Sequence, residues 1–193
     1  MAKEGKTGVT SETPKNILFG AGTIHRNLAY TDNAWNFLES IIGATSGGSK
    51  LTITPEITPV EVDGALVAVK GLDVKTGETA TMDINFIELT KELILASTIG
   101  QLGESADVNY DLIESKADID EGDYLDNIAF VGKTLDGRNV IAILENALCT
   151  SGFSQEGKNK EGSIGAYTFK CTAEPDTDLD KLPWKIYYPK AVA

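Results

Sequence analysis

Glu78-Thr79-Ala80-Thr81-Met82-Asp83-Ile84-Asn85-Phe86-Ile87 decides the class of fold. Ala80, Met82, Ile84 and Phe86 alternate with Thr79, Thr81, Asp83 and Asn85. Successive side chains of an extended chain point to opposite faces, so a period of two predicts a strand with one apolar face. Upstream, Thr76-Gly77 predicts a turn, 65–74 a strand, and Asp63-Gly64 a hairpin turn. Before that, Leu51, Ile53 and Ile57 fall on one face, and Thr52, Thr54, Glu56 and Thr58 on the other. Pro55 and Pro59 cannot donate to a ladder, so this strand is expected at an edge or a bulge.

Downstream, Thr90 is placed to cap a helix running to Ile99, with Leu93, Ala96 and Gly100 on one face and Gly100 closing it. Residues 127–134 and 139–149, joined by Asp136-Gly137, predict a second hairpin. Strands are expected at 166–173 and 184–188, with loops at 151–165 and 176–183. Near the start, Ile17-Leu18-Phe19 is a short apolar segment, stopped by Gly20-Ala21-Gly22. Asp32 or Asn33 caps an expected helix through Ile42, on the spacing of Trp35, Leu38 and Ile42, with Phe37 and Ile41 as a second stripe. The small residues of 43–50 are expected to form a mobile loop. The whole reads as mainly β with one or two helices, in roughly seven to nine strands. Residues 1–14 are polar and read as a flexible arm, leaving 15–193 as a single β-rich domain.

Composition bounds the function. The chain has 193 residues, 41% hydrophobic, enough for a real core. Its net charge of −12 argues against holding nucleic acid through phosphates or binding an anionic membrane. No apolar run reaches the roughly 18 residues of a membrane span. The first residues lack the apolar stretch of a secretory signal, so synthesis and residence in a cytoplasm are expected. Cys149 and Cys171 have no CxxC spacing and, with the single His25, are too few for a zinc site; free thiols on strands are expected.

Catalytic signatures nearly form and fail. Gly132-Lys133-Thr134 ends like a phosphate loop, but Asn127 stands where its first Gly belongs. Gly20-Ala21-Gly22 lacks the third Gly of a dinucleotide fingerprint. Asp118-Ile119-Asp120-Glu121-Gly122-Asp123 opens like a calcium loop, yet Gly122 takes a ligand position and Ala129 stands where the bidentate Glu belongs. His25 is expected to be a surface or packing residue. No catalytic, cofactor-binding or metal-binding residue is assigned, and no enzyme is expected.

Charge placement says more. Glu104, Asp107, Asp111, Glu114, Asp118, Asp120, Glu121, Asp123 and Asp126 stand against Lys116 alone, and Glu174, Asp176, Asp178 and Asp180 form a second group. Such a surface is either a solubilising face or one that lies near DNA without holding it.

Gly20-Ala21-Gly22-Thr23-Ile24-His25, Trp35-Asn36-Phe37, Glu39-Ser40-Ile41-Ile42-Gly43-Ala44-Thr45-Ser46-Gly47-Gly48, the passage from Thr79 to Ile99, and Pro183-Trp184-Lys185-Ile186-Tyr187-Tyr188-Pro189 together resemble the major tail tube proteins of long-tailed phages and prophages. The resemblance implies a β-sandwich or half-barrel subunit with a flanking helix, related to the tube protein of type VI secretion. It implies hexameric rings stacked into a tube in the virion tail, made in the bacterial host cytoplasm. It also implies a lumen for transient passage of double-stranded DNA, with a tape-measure protein, a tail terminator and tail-tip proteins as partners. No active site comes with it.

Exposed strand edges make assembly plausible on physical grounds, because strands of neighbouring copies can pair head to tail and close a ring. Thr45, Ser46, Gly47, Gly48 and Ser49 are the candidate inter-ring loop, with 151–165 and the N-terminal arm as further contacts. Asp118, Asp120, Glu121 and Asp123 are the candidate lumen or acidic surface. The competing readings are another virion or surface β module, such as a capsid decoration or adhesion protein, and a small acidic enzyme.

Overall fold

A computed structural model describes residues 8–157 and 159–190. In chain order it contains α1 (Thr13–Asn16), β1 (Leu18–Arg26), β2 (Tyr30–Thr31), β3 (Ala34–Trp35), β4 (Thr45–Pro59), β5 (Asp73–Phe86), α2 (Lys91–Thr98), β6 (Gly100–Gly103) and β7 (Leu112–Ser115). A single 3-10 turn (Glu121–Asp123) follows, then β8 (Leu125–Thr134), β9 (Asn139–Cys149), β10 (Gln155–Glu156), β11 (Ile164–Cys171) and β12 (Trp184–Tyr187). With 47% strand and 8% helix the fold is mainly β.

The alternation around Met82 does what its period requires. Ala80, Met82, Ile84 and Phe86 are buried, while their neighbours face outward or half-outward. β5 pairs with β4 on one side and β11 on the other, both antiparallel. The main sheet runs β1-β8-β9-β11-β5-β4, with β10 beside β11 and β12 beside β9. β9 changes partner along its length: Ile141 to Leu144 pair with β12, and Ala147 to Cys149 with β11. Asn146 between them has φ 49°, a left-handed conformation that Asn tolerates better than most residues. The sheet is open, and β1 and β4 end its order.

One face carries the main core, including Ile24, Met82, Phe86, Ile128, Leu144, Phe169 and Leu93 of α2. The other face of β8 and β9 presents Ala129, Val131, Ile141 and Ile143, which pack with Leu28 under Trp35 and Phe37. The β8–β9 hairpin forms as expected around Asp136-Gly137, with Gly137 at φ 86°. α2 also forms: Thr90 Oγ1 accepts from the Leu93 amide, and the last turn closes at Ile99 (φ 49°), so Gly100 already begins β6.

Several expectations are corrected. The helix from Asp32 or Asn33 to Ile42 does not form. Asp32 (φ 52°) and Asn33 (φ 61°) instead make the tight turn of the β2–β3 hairpin, where both central residues must be left-handed. Trp35 and Phe37, two apart, then both reach the second apolar face. Gly20-Ala21-Gly22 does not stop the first segment; β1 runs through it, with a register shift between Phe19 and Thr23.

The small-residue segment is not a loop either. β4 starts at Thr45, and Gly47 (φ 87°) and Gly48 (φ 85°) absorb a bulge between Thr45 opposite Phe86 and Ser49 opposite Ile84. Thr45, Ser46, Gly47, Gly48 and Ser49 therefore lie in a strand. No strand forms at 65–72; β5 begins only at Asp73, and Gly77 sits inside it opposite Glu56. Asp63-Gly64 does turn, with the Ala65 amide donating to the Val62 carbonyl, but within a 60–72 loop that joins two longer strands. Leu66 and Val67 have no apolar surface to cover, so nothing extends them into a strand. Of the expected arm, 1–7 lies outside the described residues, and α1 begins at Thr13.

Candidate assembly surface

The β4–β5 hairpin is built from the two longest strands among the described residues. β11 pairs with β5 only from Thr81 to Phe86, so beyond Ala80 the hairpin continues without β11 as a two-stranded ribbon. At about 3.3 Å per residue it projects roughly 20 Å before its loop. Among the described residues no strand pairs with the outer edge of β4, which leaves backbone donors and acceptors unpaired along Thr45–Pro59. Pro55 and Pro59 lie in this edge strand, where a missing N–H is tolerated.

The end of the ribbon is apolar. Val60, Val62, Leu66, Val67 and Val69 are all exposed, Leu66 at 98% and Val67 at 77%. The Val60 amide donates to the Leu72 carbonyl (2.8 Å) and holds the loop together. The ribbon's base is braced. Lys75 Nζ lies 3.0 Å from Glu78 Oε1 and holds the Glu78 carboxyl below its ordinary range. The sequence conceals this surface because 65–74 reads as a strand; the signal available is an apolar run without a period-two polar partner face.

The acidic residues divide. Asp118, Asp120 and Glu121 are exposed, but Asp123 is buried, which corrects its placement on an open acidic surface. Asp123 Oδ2 accepts from the Asp120 amide (2.7 Å) and lies 2.6 Å from Lys116 Nζ. Lys116 also reaches Asp120 at 2.9 Å, and the two carboxylates, Asp123 first, raise its pKa. The one lysine of the acidic run is thus spent internally on its turn. The two acid groups, far apart in sequence, meet in space: Glu121 and Asp126 line a surface hollow of about 620 Å³ with Glu174 and Asp176. The calcium-like spacing builds no metal cage, since no group of three or more His, Cys, Asp or Glu side chains suited to a metal occurs among the described residues.

His25 is buried, not on the surface. Its Nδ1 lies 2.8 Å from Ser40 Oγ and its Nε2 2.7 Å from Thr23 Oγ1. Ser40 Oγ donates to the Asn36 carbonyl (2.8 Å), so it accepts from Nδ1–H, and Nε2 accepts from Thr23. Burial lowers the His25 pKa and so favours the neutral ring. No carboxylate bonds to the ring among the described residues, so the Ser–His pair lacks the third member that would orient a base.

No protein-family model matches the chain, and no curated protein matches it. Cys149 and Cys171 are free, buried thiols on β9 and β11, as expected, and burial pushes Cys171 up to about 11. A thiol held that high is a poor nucleophile. Among the described residues no helix is long and apolar enough to cross a membrane.

Arg138 ties the stretches at Lys15 and Lys190 to the β8–β9 turn. Its Nε meets Asp136 at 2.6 Å, Nη2 donates to the Lys15 carbonyl (2.8 Å), and Nη1 to the Lys190 carbonyl (3.2 Å). Tyr188 Oη, 2.7 Å from Asn16 Oδ1, adds a side-chain link. The stretches at Lys15–Asn16 and Tyr188–Lys190 therefore meet at one place on the molecule.

Proposed function

We propose that this chain is the structural subunit of a phage or prophage tail tube. Copies associate laterally into closed rings, six in number by the family resemblance, and the rings stack. The observation that carries the reading is the β4–β5 hairpin, with an open edge along β4 and an apolar end at Leu66 and Val67. An open edge of that length on an isolated domain is a template for further strands. In a ring, each copy's edge is met by its neighbour, and no edge is left over.

The convergence of Glu121, Asp126, Glu174 and Asp176 supports the second half of the reading. A wall of like charge repels phosphate and lets DNA slide past without binding. In this reading the tape-measure protein templates the tube, terminator and tip proteins close it, and the virion tail is its location. Acid-to-lysine changes at Asp118, Asp120 and Glu121 leave tubes intact and impair DNA delivery; unaltered infectivity removes the channel role. Sedimentation over a concentration series tests the assembly. A discrete species of six copies is expected, and a single copy at every concentration overturns the reading.

A further inference from the structure

His25 is the chain's one histidine, and it stands where a separate segment closes over the sheet. That segment, residues 27–42, leaves β1 at Asn27 (φ 52°), makes the β2–β3 hairpin, and returns along the outer edge of β1. Two backbone bonds seal the edge: the Arg26 amide donates to the Ser40 carbonyl (2.8 Å), and the Ile42 amide to the Ile24 carbonyl (3.1 Å). His25 and Ile41 bridge between them. The segment's underside carries Leu28, Trp35 and Phe37 over Ala129, Val131, Ile141 and Ile143. It is a flap covering both a strand edge and an apolar face.

The latch is the chain Thr23–His25–Ser40–Asn36 carbonyl, which runs from β1 into the flap. The Phe37 ring and the imidazole meet edge to face, 5.8 Å between centroids. We propose that residues 27–42 are a proton-released flap: neutral His25 holds it shut over β1, and a second proton on the ring frees the edge at Ile24–Arg26.

The surroundings favour release over accommodation. From β8 the ring's register partner is Ala129, and from the flap its neighbours are Ser40 and Phe37. Arg26, next in β1, projects to the other face of the strand by alternation. Glu39, next to Ser40, is exposed, as are Asp32 and Thr23. No ionised side chain among the described residues bonds to the ring, so the imidazolium has no counter-charge. Thr23 must also give up donating to Nε2 and turn its proton elsewhere. A charged, uncompensated ring in an apolar seam is relieved by opening to water. The inference does not rest on the tube reading.

Amide exchange and the His25 ring signal, followed together by NMR on the full chain from pH 8 to pH 5, test it. With one histidine the ring signal is unambiguous. After correction for intrinsic rates, the Arg26 and Ile42 amides should lose protection several-fold, with the midpoint of the His25 titration, while the β8–β9 ladder stays protected. In His25→Gln that pH-dependent loss should vanish, and Ser40→Ala should lower protection of the same amides at pH 8. Titration of His25 with Arg26 and Ile42 still protected overturns the proposal. So does an identical pH-dependent loss in His25→Gln.

Discussion

Lys116 Nζ lies 2.6 Å from a carboxylate oxygen of Asp123, and that carboxylate also accepts from the Asp120 amide. The one cation of a nine-acid stretch is therefore a structural part, holding the turn from which Asp118, Asp120 and Glu121 project. Lys116→Met leaves Asp123 with its backbone bond but no counter-charge. The variant should melt at a lower temperature at neutral pH. Calorimetry checks this; an unchanged melting temperature contradicts it.

Phe169 is fully buried in the main core, on the strand that joins the two halves of the sheet. Phe169→Ala removes a ring whose space its neighbours fill only in part. A loss of about 3–5 kcal/mol is expected from such truncations, read by urea denaturation.

Gly22 has φ 69°, and a Cβ there would stand 2.4 Å from the Phe130 ring and 2.8 Å from the Val131 carbonyl. Gly20, two residues earlier, also has positive φ but meets nothing. Backbone strain costs of order 1–3 kcal/mol at each site. Gly22→Ala should exceed Gly20→Ala, because only the former adds a clash. Paired denaturation curves decide; equal costs contradict the packing at β1 and β8.

Global stability should fall as the solution is acidified through the ordinary range of histidine. The folded His25 pKa is lowered by burial, so below about 6.5 the unfolded chain takes up a proton that the folded chain resists. The loss begins as pH drops past the unfolded value and ends below the folded one. It precedes any contribution from Glu78, Asp136 and Asp178, whose depressed pKa values place their losses at still lower pH. In His25→Gln the upper part of this slope should disappear. Denaturant midpoints from pH 8 to pH 3 show both windows.

What was legible in the sequence followed local pattern. The alternation at Ala80, Met82, Ile84 and Phe86 placed a strand and its buried face. Asp136-Gly137 placed a hairpin, and Thr90 a helix start. Asp32-Asn33 misled because the side chains that cap helices are also those that tolerate left-handed turns. Gly47-Gly48 misled because glycine composition is the same in a mobile loop and in a bulge. Burial of His25 against Ser40, and the meeting of Glu121 with Glu174, depend on which strands neighbour one another. No local period carries that. Lys116 and Asp120 do stand at a spacing of four, the one sequence hint that this lysine is held by its turn.

The apolar end of the ribbon separates folding from assembly. Leu66 and Val67 touch almost nothing in one copy, so Leu66→Ser with Val67→Ser should change monomer stability by no more than about 0.5 kcal/mol. Assembly should fail in the same variant, as read by light scattering at high concentration. Unaltered assembly would show that the loop is not a contact.

The central claim is that neighbouring copies complete each other's sheets. Electron microscopy of the concentrated protein addresses it most directly. Annular particles or stacked tubes are predicted, with the outer edge of β4 paired to an adjacent copy. A field of separate single copies at every concentration, with that edge bare, would contradict it.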